Sequence, residues 1–163
     1  MAQDLIGWGN DLILQQYGER FRQIRRMIHK LFGSPSSVKA FHPIQKYVTL
    51  RFVQNVLNKP EELAAHVRNA IGATILKILH GYDVQEGNDP LVELTDKAMA
   101  QFSEVTTPGA YLVNTIPILK YLPSWFPGAS FQKTALLYRQ TLRDFLETPY
   151  NMVLEQMVNI YEA

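Results

Sequence analysis

The chain has 163 residues, a formal net charge of +1 and no cysteine. Nearly half of its residues are apolar, enough for one domain with a real core and too many for a disordered chain. The near-neutral charge offers no global field for nucleic acid, and the missing thiols exclude disulfides, thiolate metal ligands and a cysteine nucleophile within this chain. No apolar run approaches the ~20 residues that span a bilayer, and no secretory leader is expected at the N-terminus.

Proline, glycine and hydrophobic spacing predict an all-α chain of about six helices, without convincing strand-like alternation, as a single domain over residues 1–163. Gly7-Trp8-Gly9 reads as a turn. Residues 18–32 form the first helix, with Phe21, Ile24, Ile28, Leu31 and Phe32 on one face. Arg22, Arg26 and Lys30 make a separate basic stripe at i, i+4, i+8. Arg25 sits at the border of the apolar face, one turn after Phe21. Gly33 and the loop GSPSS end this helix.

Pro43 opens a second segment, in which Ile44, Tyr47, Val48, Phe52, Val56 and Leu57 keep helical spacing. Pro60 opens a third, expected to turn Leu63, Val67, Ile71, Thr74, Ile75, Ile78 and Leu79 inward and to stop at Gly81. Asp89-Pro90 is a start signal, an N-cap carboxylate followed by proline. The helix it opens carries Leu91, Leu94, Ala98, Phe102 and Val105 and ends at Pro108-Gly109. Residues 108–128 are irregular and rich in proline and aromatics. A long final helix is expected from about Ala129, kinked or split at Pro149.

Catalytic motifs do not stand out. No G-x-S-x-G, phosphate-binding G-x-x-x-x-G-K-[ST] or G-x-G-x-x-G occurs. His29, His42, His66 and His80 lack metal-ligand spacing, and surface or capping roles are expected for them. Glu61 and Glu62 fall at a helix start, where they complement the dipole. Arg25 is different. A guanidinium at the edge of an apolar face can hold a carboxylate bidentately while its stem lies on apolar surface. With an aromatic ring one turn earlier, the arrangement suits an apolar cofactor with carboxylate tails; the alternative is an arginine paired with a nearby Asp or Glu.

Four stretches in series, YGERFRQIRRMIHKLF, HVRNAIGATILKILHGYDV, NDPLVEL and ILKYLPSWFPG, resemble the cytochrome P-450 monooxygenases, particularly the fungal microsomal branch. The resemblance covers nearly all of the chain. It implies a partial helical domain running from the region before helix C to just past helix G. Phe21 and Arg25 fall on the W-x-x-x-R motif of helix C, whose two side chains contact haem propionates; Arg25 keeps that role, whereas Phe21 lacks an indole N–H. The family's oxygen-activating helix, E-x-x-R helix and cysteine loop are not in these residues. The chain is therefore expected to be a fragment, inactive alone for want of the axial thiolate.

For the parent enzyme the resemblance implies hydroxylation of lipophilic small molecules with O2. Electrons would come from an NADPH-dependent flavoprotein reductase, at the cytoplasmic face of the endoplasmic reticulum membrane. Three substrate regions follow by resemblance: Ile6–Leu14, with Ile6, Trp8 and Leu12; Val105–Val113, with Val105 and Leu112; and Phe131–Leu136, led by Phe131. Arg22, Arg26 and Lys30 would dock the reductase, or else form a solvated face. Tyr121, Leu122, Trp125 and Phe126 would dip into a membrane interface, with Lys120 snorkelling to the phosphates, unless the 108–128 connection folds inward. No nucleic-acid partner is expected. A non-catalytic all-helical adaptor is the alternative function.

Overall fold

The computed structural model describes residues 1–161 except Glu86 and Ser124. Among the described residues there is no strand, and the chain is helical in the expected places. It divides into two compact units. The first comprises Met1–Gln16 and Glu93–Pro149; the second comprises Tyr17–Val92 and the chain from Tyr150 onward.

The second unit holds α1 (Glu19–Phe32), α2 (Pro35–Lys39), α3 (His42–Asn58) and α4 (Leu63–His80). The GSPSS stretch expected as loop includes the start of α2. Ser34 accepts a hydrogen bond from the Ser37 N–H at 3.1 Å and Pro35 follows it, so residues 34–37 are a cap and a first turn. Pro60 opens a 3-10 turn, Pro60–Glu62, which leads into α4. Gly81 ends α4 with φ 67°, its N–H bonded to the Lys77 carbonyl, while the Tyr82 N–H reaches back to Leu76. That paired closure needs a left-handed residue, which glycine adopts without a Cβ penalty.

Most of the α4 face that the spacing turned inward is outside, with Thr74 and Ile78 half-buried. Leu63, Val67, Ile71, Ile75 and Leu79 are all at least 40% exposed, whereas His66 and Leu76 are buried. Gly72 faces the start of the next helix, where an added Cβ would lie 3.2 Å from Val92. The small residues Ala70 and Ala73 lie half-buried beside His66 and Leu76. A helix packed on one neighbour covers only one side of itself. On α4 that side is the small-residue edge, and the longer aliphatic row is left open. With Val48 and Phe52 of α3, Val67, Ile71 and Ile75 of this row line an apolar groove of about 360 Å³.

α5 spans Pro90–Thr106. Asp89, 2% exposed, caps it: one carboxylate oxygen accepts from the Leu91 and Val92 N–H groups at 2.9 and 3.2 Å, the other from Gln85 N–H and the Tyr82 hydroxyl at 2.9 and 3.0 Å. All four of those bonds satisfy a buried charge that would otherwise be costly.

The first unit is built on α5 from Glu93, on α6 (Leu112–Thr115) and on α7 (Ser130–Tyr161) up to Pro149. The expected 108–128 irregular stretch contains α6 and a 3-10 turn at Pro117–Tyr121. The N-terminal residues form a π-type turn, Ala2–Ile6, closed by Gly7 at φ 115°. Ile6, Trp8, Val105, Ala135 and Leu142 then meet in the core. The Trp8 ring lies 4.8 Å from Phe102 and 6.4 Å from Phe145, tilted to both, the geometry aromatic quadrupoles favour. A smaller cluster joins Val113, Ala129 and Phe131. Pro149 does not split α7, which runs through it. It removes the N–H that the Phe145 carbonyl would use, and the boundary between the units falls at this residue.

Candidate functional site

In the second unit, α1 begins one residue after Gly18 and is strongly amphipathic. Arg25 lies with its guanidinium carbon 5.9 Å from the Phe21 ring centroid, and that ring is 5.5 Å from Tyr17. Phe21 is half-buried and Arg25 exposed. Among the described residues no carboxylate pairs with Arg25. Its neighbours behave otherwise. Arg22 is 2.6 Å from Glu19, and Arg26 is 3.9 Å from the other oxygen of the same carboxylate. Both pairs are more than half exposed and contribute little stability.

Tyr17, Phe21, Arg22, Arg25, Arg26 and His29 line one open concavity of about 470 Å³. Two members of the supposedly separate basic stripe therefore share a concavity with Arg25; Lys30 is not part of its lining. Chemically, this is a guanidinium resting on an aromatic floor with further cations at the rim. The planar fork of Arg25 fits a carboxylate of an apolar group, and Phe21 can wall such a group without donating to it. Among the described residues no group of three His, Asp or Glu could hold a metal ion. His66 instead bonds the Lys59 carbonyl at 2.9 Å, a capping role, and His29 and His42 are exposed.

In the first unit, four of the substrate-region residues are core. Ile6 and Val105 are 1% exposed, and Trp8 packs with them; Phe131 belongs to the second cluster. Leu12 is half-buried and Leu112 exposed. A cavity of about 580 Å³ lies between residues 1–5, the end of α5 and residues 106–120. Asp4 and Lys120 both line it and pair at 3.1 Å. Lys120 thus has Asp4 as its partner, and its ammonium lies 5.1 Å from the Tyr121 ring. Arg139 of α7 grips the Leu5 carbonyl with two N–H groups, at 2.9 and 2.5 Å. Tyr121, Trp125 and Phe126 are exposed; Leu122 is half-buried, and its carbonyl accepts from the Gln132 amide.

Spacing gave no sign of one cluster. Glu104, in the last turn of α5, accepts from the Tyr111 hydroxyl at 2.5 Å through one oxygen and from the Tyr138 hydroxyl at 2.6 Å through the other. The bonds from Tyr111 and then Tyr138 hold the Glu104 carboxyl below its ordinary range. Burial, then Glu104, pushes the Tyr111 phenol up; the bond to Glu104, then burial, does the same for Tyr138. A depressed carboxyl contributes stability that is lost only as pH falls through its folded value, and a raised phenol contributes stability lost only as pH rises through its own. The cluster therefore stays in one ionisation state across the neutral range.

The class this geometry defines is an all-α protein segment bearing a guanidinium on an aromatic floor. Sequence relatives name the family. Cytochrome P-450 monooxygenase 208 of Postia placenta is 40% identical over 157 residues, 96% of this chain and 31% of that protein. The multifunctional cytochrome P-450 monooxygenase af510 of Aspergillus fumigatus is 38% identical over 156 residues, 95% of this chain and 29% of that protein. O-methylsterigmatocystin oxidoreductase of Aspergillus flavus is 34% identical over 154 residues, 94% of this chain and 29% of that protein. No family model and no solved structure matches the chain. The chain spans about three tenths of the length of these curated relatives. It corresponds to a segment of the cytochrome P-450 monooxygenases, an oxidoreductase family represented in these matches by fungal proteins.

Proposed function

We propose that this chain is a partial domain of a haem-thiolate monooxygenase that hydroxylates a lipophilic small molecule. Arg25 carries the reading: its guanidinium has no carboxylate partner among the described residues and rests on Phe21, on the helix that the resemblance assigns to propionate binding. Arg25 would hold a haem propionate, with Phe21 packing on the haem edge. The haem, when bound, supplies the oxygen chemistry. The axial cysteine must come from outside these 163 residues, so the chain alone is inactive. Ile6, Trp8, Leu12, Val105, Leu112 and Phe131 belong to the substrate side. Of these, the buried ones act by shaping the packing and Leu12 and Leu112 are accessible for contact. Arg22, Arg26 and Lys30 offer an exposed basic surface to an acidic NADPH-dependent reductase.

The decisive experiment reduces the full-length protein that carries this chain and adds carbon monoxide. A thiolate-type red-shifted haem band is expected there and is expected to be absent from the 163-residue chain reconstituted with haemin. A folded full-length protein without that band overturns the reading.

The exposed Tyr121, Trp125 and Phe126 support contact with a membrane interface, where such rings sit well at headgroup depth. The proposed setting is the cytoplasmic face of the endoplasmic reticulum membrane. No helix among the described residues is long and apolar enough to cross a membrane. Trp125 is 78% exposed and Trp8 5%, so Trp125 dominates any change of emission when liposomes are added. A blue shift, abolished by Trp125→Leu, is expected. Unchanged emission at saturating lipid would leave the connection facing water.

A further inference from the structure

In the second unit, α3 and α4 pack on each other as a hairpin joined by the turn at 59–62. Between them and residues 82–87 lies a cavity of about 230 Å³. It takes no part in the haem, substrate, reductase or membrane roles assigned above. Ala70 and Ala73 leave room on the α4 side, and Val48 and Phe52 of α3 supply apolar walls. The third wall is fixed by the buried Asp89, which accepts from the Tyr82 hydroxyl and the Gln85 N–H. The cavity is therefore preformed.

Its polar groups fall into two sets. The charged set is already engaged. Lys77 pairs with Asp83 at 2.7 Å, and the Arg51 guanidinium carbon lies 5.7 Å from the Tyr47 ring centroid. The uncharged set, Asn55, His66 and Asn69, stands at the end nearer the turn. His66 is 8% exposed, and its Nε2 bonds the Lys59 carbonyl at 2.9 Å. A carbonyl only accepts, so Nε2 carries the proton and Nδ1 of the neutral ring is an acceptor. No described residue donates to that nitrogen. The side-chain amides of Asn55 and Asn69 likewise have no hydrogen-bond partner among the described residues.

We propose that this cavity binds a small, flat, uncharged ligand carrying a hydrogen-bond donor and acceptor side by side, of the class of a lactam or carboxamide on an aromatic ring. Size sets the first limit: the volume is below the ~300–1,000 Å³ of sites for drug-sized ligands, so one or two rings fill it. The apolar walls take the faces of the rings. The open end sets the chemistry. An asparagine amide presents a carbonyl and an NH2 together, which match the N–H and C=O of a lactam in one bidentate pair. A carboxylate fits worse, because it would have to displace Asp83 from Lys77 and would meet the lone pair of His66.

The test is equilibrium dialysis of labelled 2-quinolinone against the full-length protein, with labelled naphthalene as the bicyclic comparator that lacks the polar edge. Saturable binding of 2-quinolinone is expected, with naphthalene at least about tenfold weaker. Asn69→Leu and Asn55→Leu should each weaken one equivalent of bound 2-quinolinone about tenfold, by removing an amide while keeping its approximate shape. Asn55 is exposed, so its variant carries the test should Asn69→Leu fail to fold. No saturable binding overturns the site. Binding that is the same in the parent and in both variants places the molecule elsewhere and also overturns it. Naphthalene binding as tightly as 2-quinolinone overturns the donor–acceptor chemistry. Dialysis does not read the haem, so each of these failures leaves the monooxygenase reading standing, and a missing thiolate band leaves this site standing.

Discussion

Replacing Arg25 by alanine in the full-length protein is expected to cut haem retention sharply. A carboxylate that loses a charge-assisted, desolvated partner costs on the order of 2–5 kcal/mol, which is roughly 30-fold or more in the haem dissociation constant. The desolvation arises only when the cofactor covers the guanidinium, because Arg25 is exposed in this chain. Arg25→Lys should recover part of the loss, since it keeps the charge but not the bidentate fork. Arg22 is the contrasting neighbour. It is tied to Glu19 at 2.6 Å, so Arg22→Ala should spare haem and instead slow electron delivery from the reductase, most visibly at low ionic strength. Haem occupancy, measured as the Soret-to-protein absorbance ratio after extensive dialysis, reads both variants. Equal occupancy in Arg25→Ala and the parent would remove the propionate role.

The second large effect concerns the first unit. Trp8→Ala is expected to destabilise it by about 3–5 kcal/mol, the usual range for emptying a buried aromatic site. Trp8 is 5% exposed, stacked near Phe102 and Phe145, and packed with Ile6, Val105 and Leu142. The other tryptophan is the internal control. Trp125 is 78% exposed, so Trp125→Ala should move stability by no more than about 0.5 kcal/mol. Urea midpoints of the two variants, followed by helical circular dichroism, make the comparison. Equal midpoints would show that Trp8 is not a core residue.

These two tryptophans also show where sequence reasoning reaches its end. Both stand in short stretches beside glycine or proline, and resemblance placed both near ligand or lipid. Nothing within a few residues of Trp8 says that it will be met by Phe102 and Phe145, which arrive from α5 and α7, 94 and 137 residues further along the chain. The α4 stripe teaches the same point from the other direction. Its aliphatic spacing is that of a helix face, and α4 is a helix, but spacing cannot say which side of a helix a neighbour will occupy. Gly72, Ala70 and Ala73 allowed close approach on the other side, and packing followed them. Arg25 was legible because its partner ring, Phe21, is one turn away on the same helix.

What the amino-acid order determined by itself was the all-α character, the start of α5 at Asp89-Pro90, the stop of α4 at Gly81 and the juxtaposition of Phe21 with Arg25. Each of these depends on groups within about five residues, where capping bonds and the helical repeat decide the outcome before any distant contact forms. Only the tertiary structure decided that Trp8 is core, that the aliphatic row of α4 lies open, that Lys120 is bound by Asp4, and that Glu104 gathers Tyr111 and Tyr138. Those outcomes depend on which surfaces of separate helices meet. Burial of apolar area is non-directional, so many pairings satisfy the same sequence pattern, and close packing of side-chain shapes selects among them.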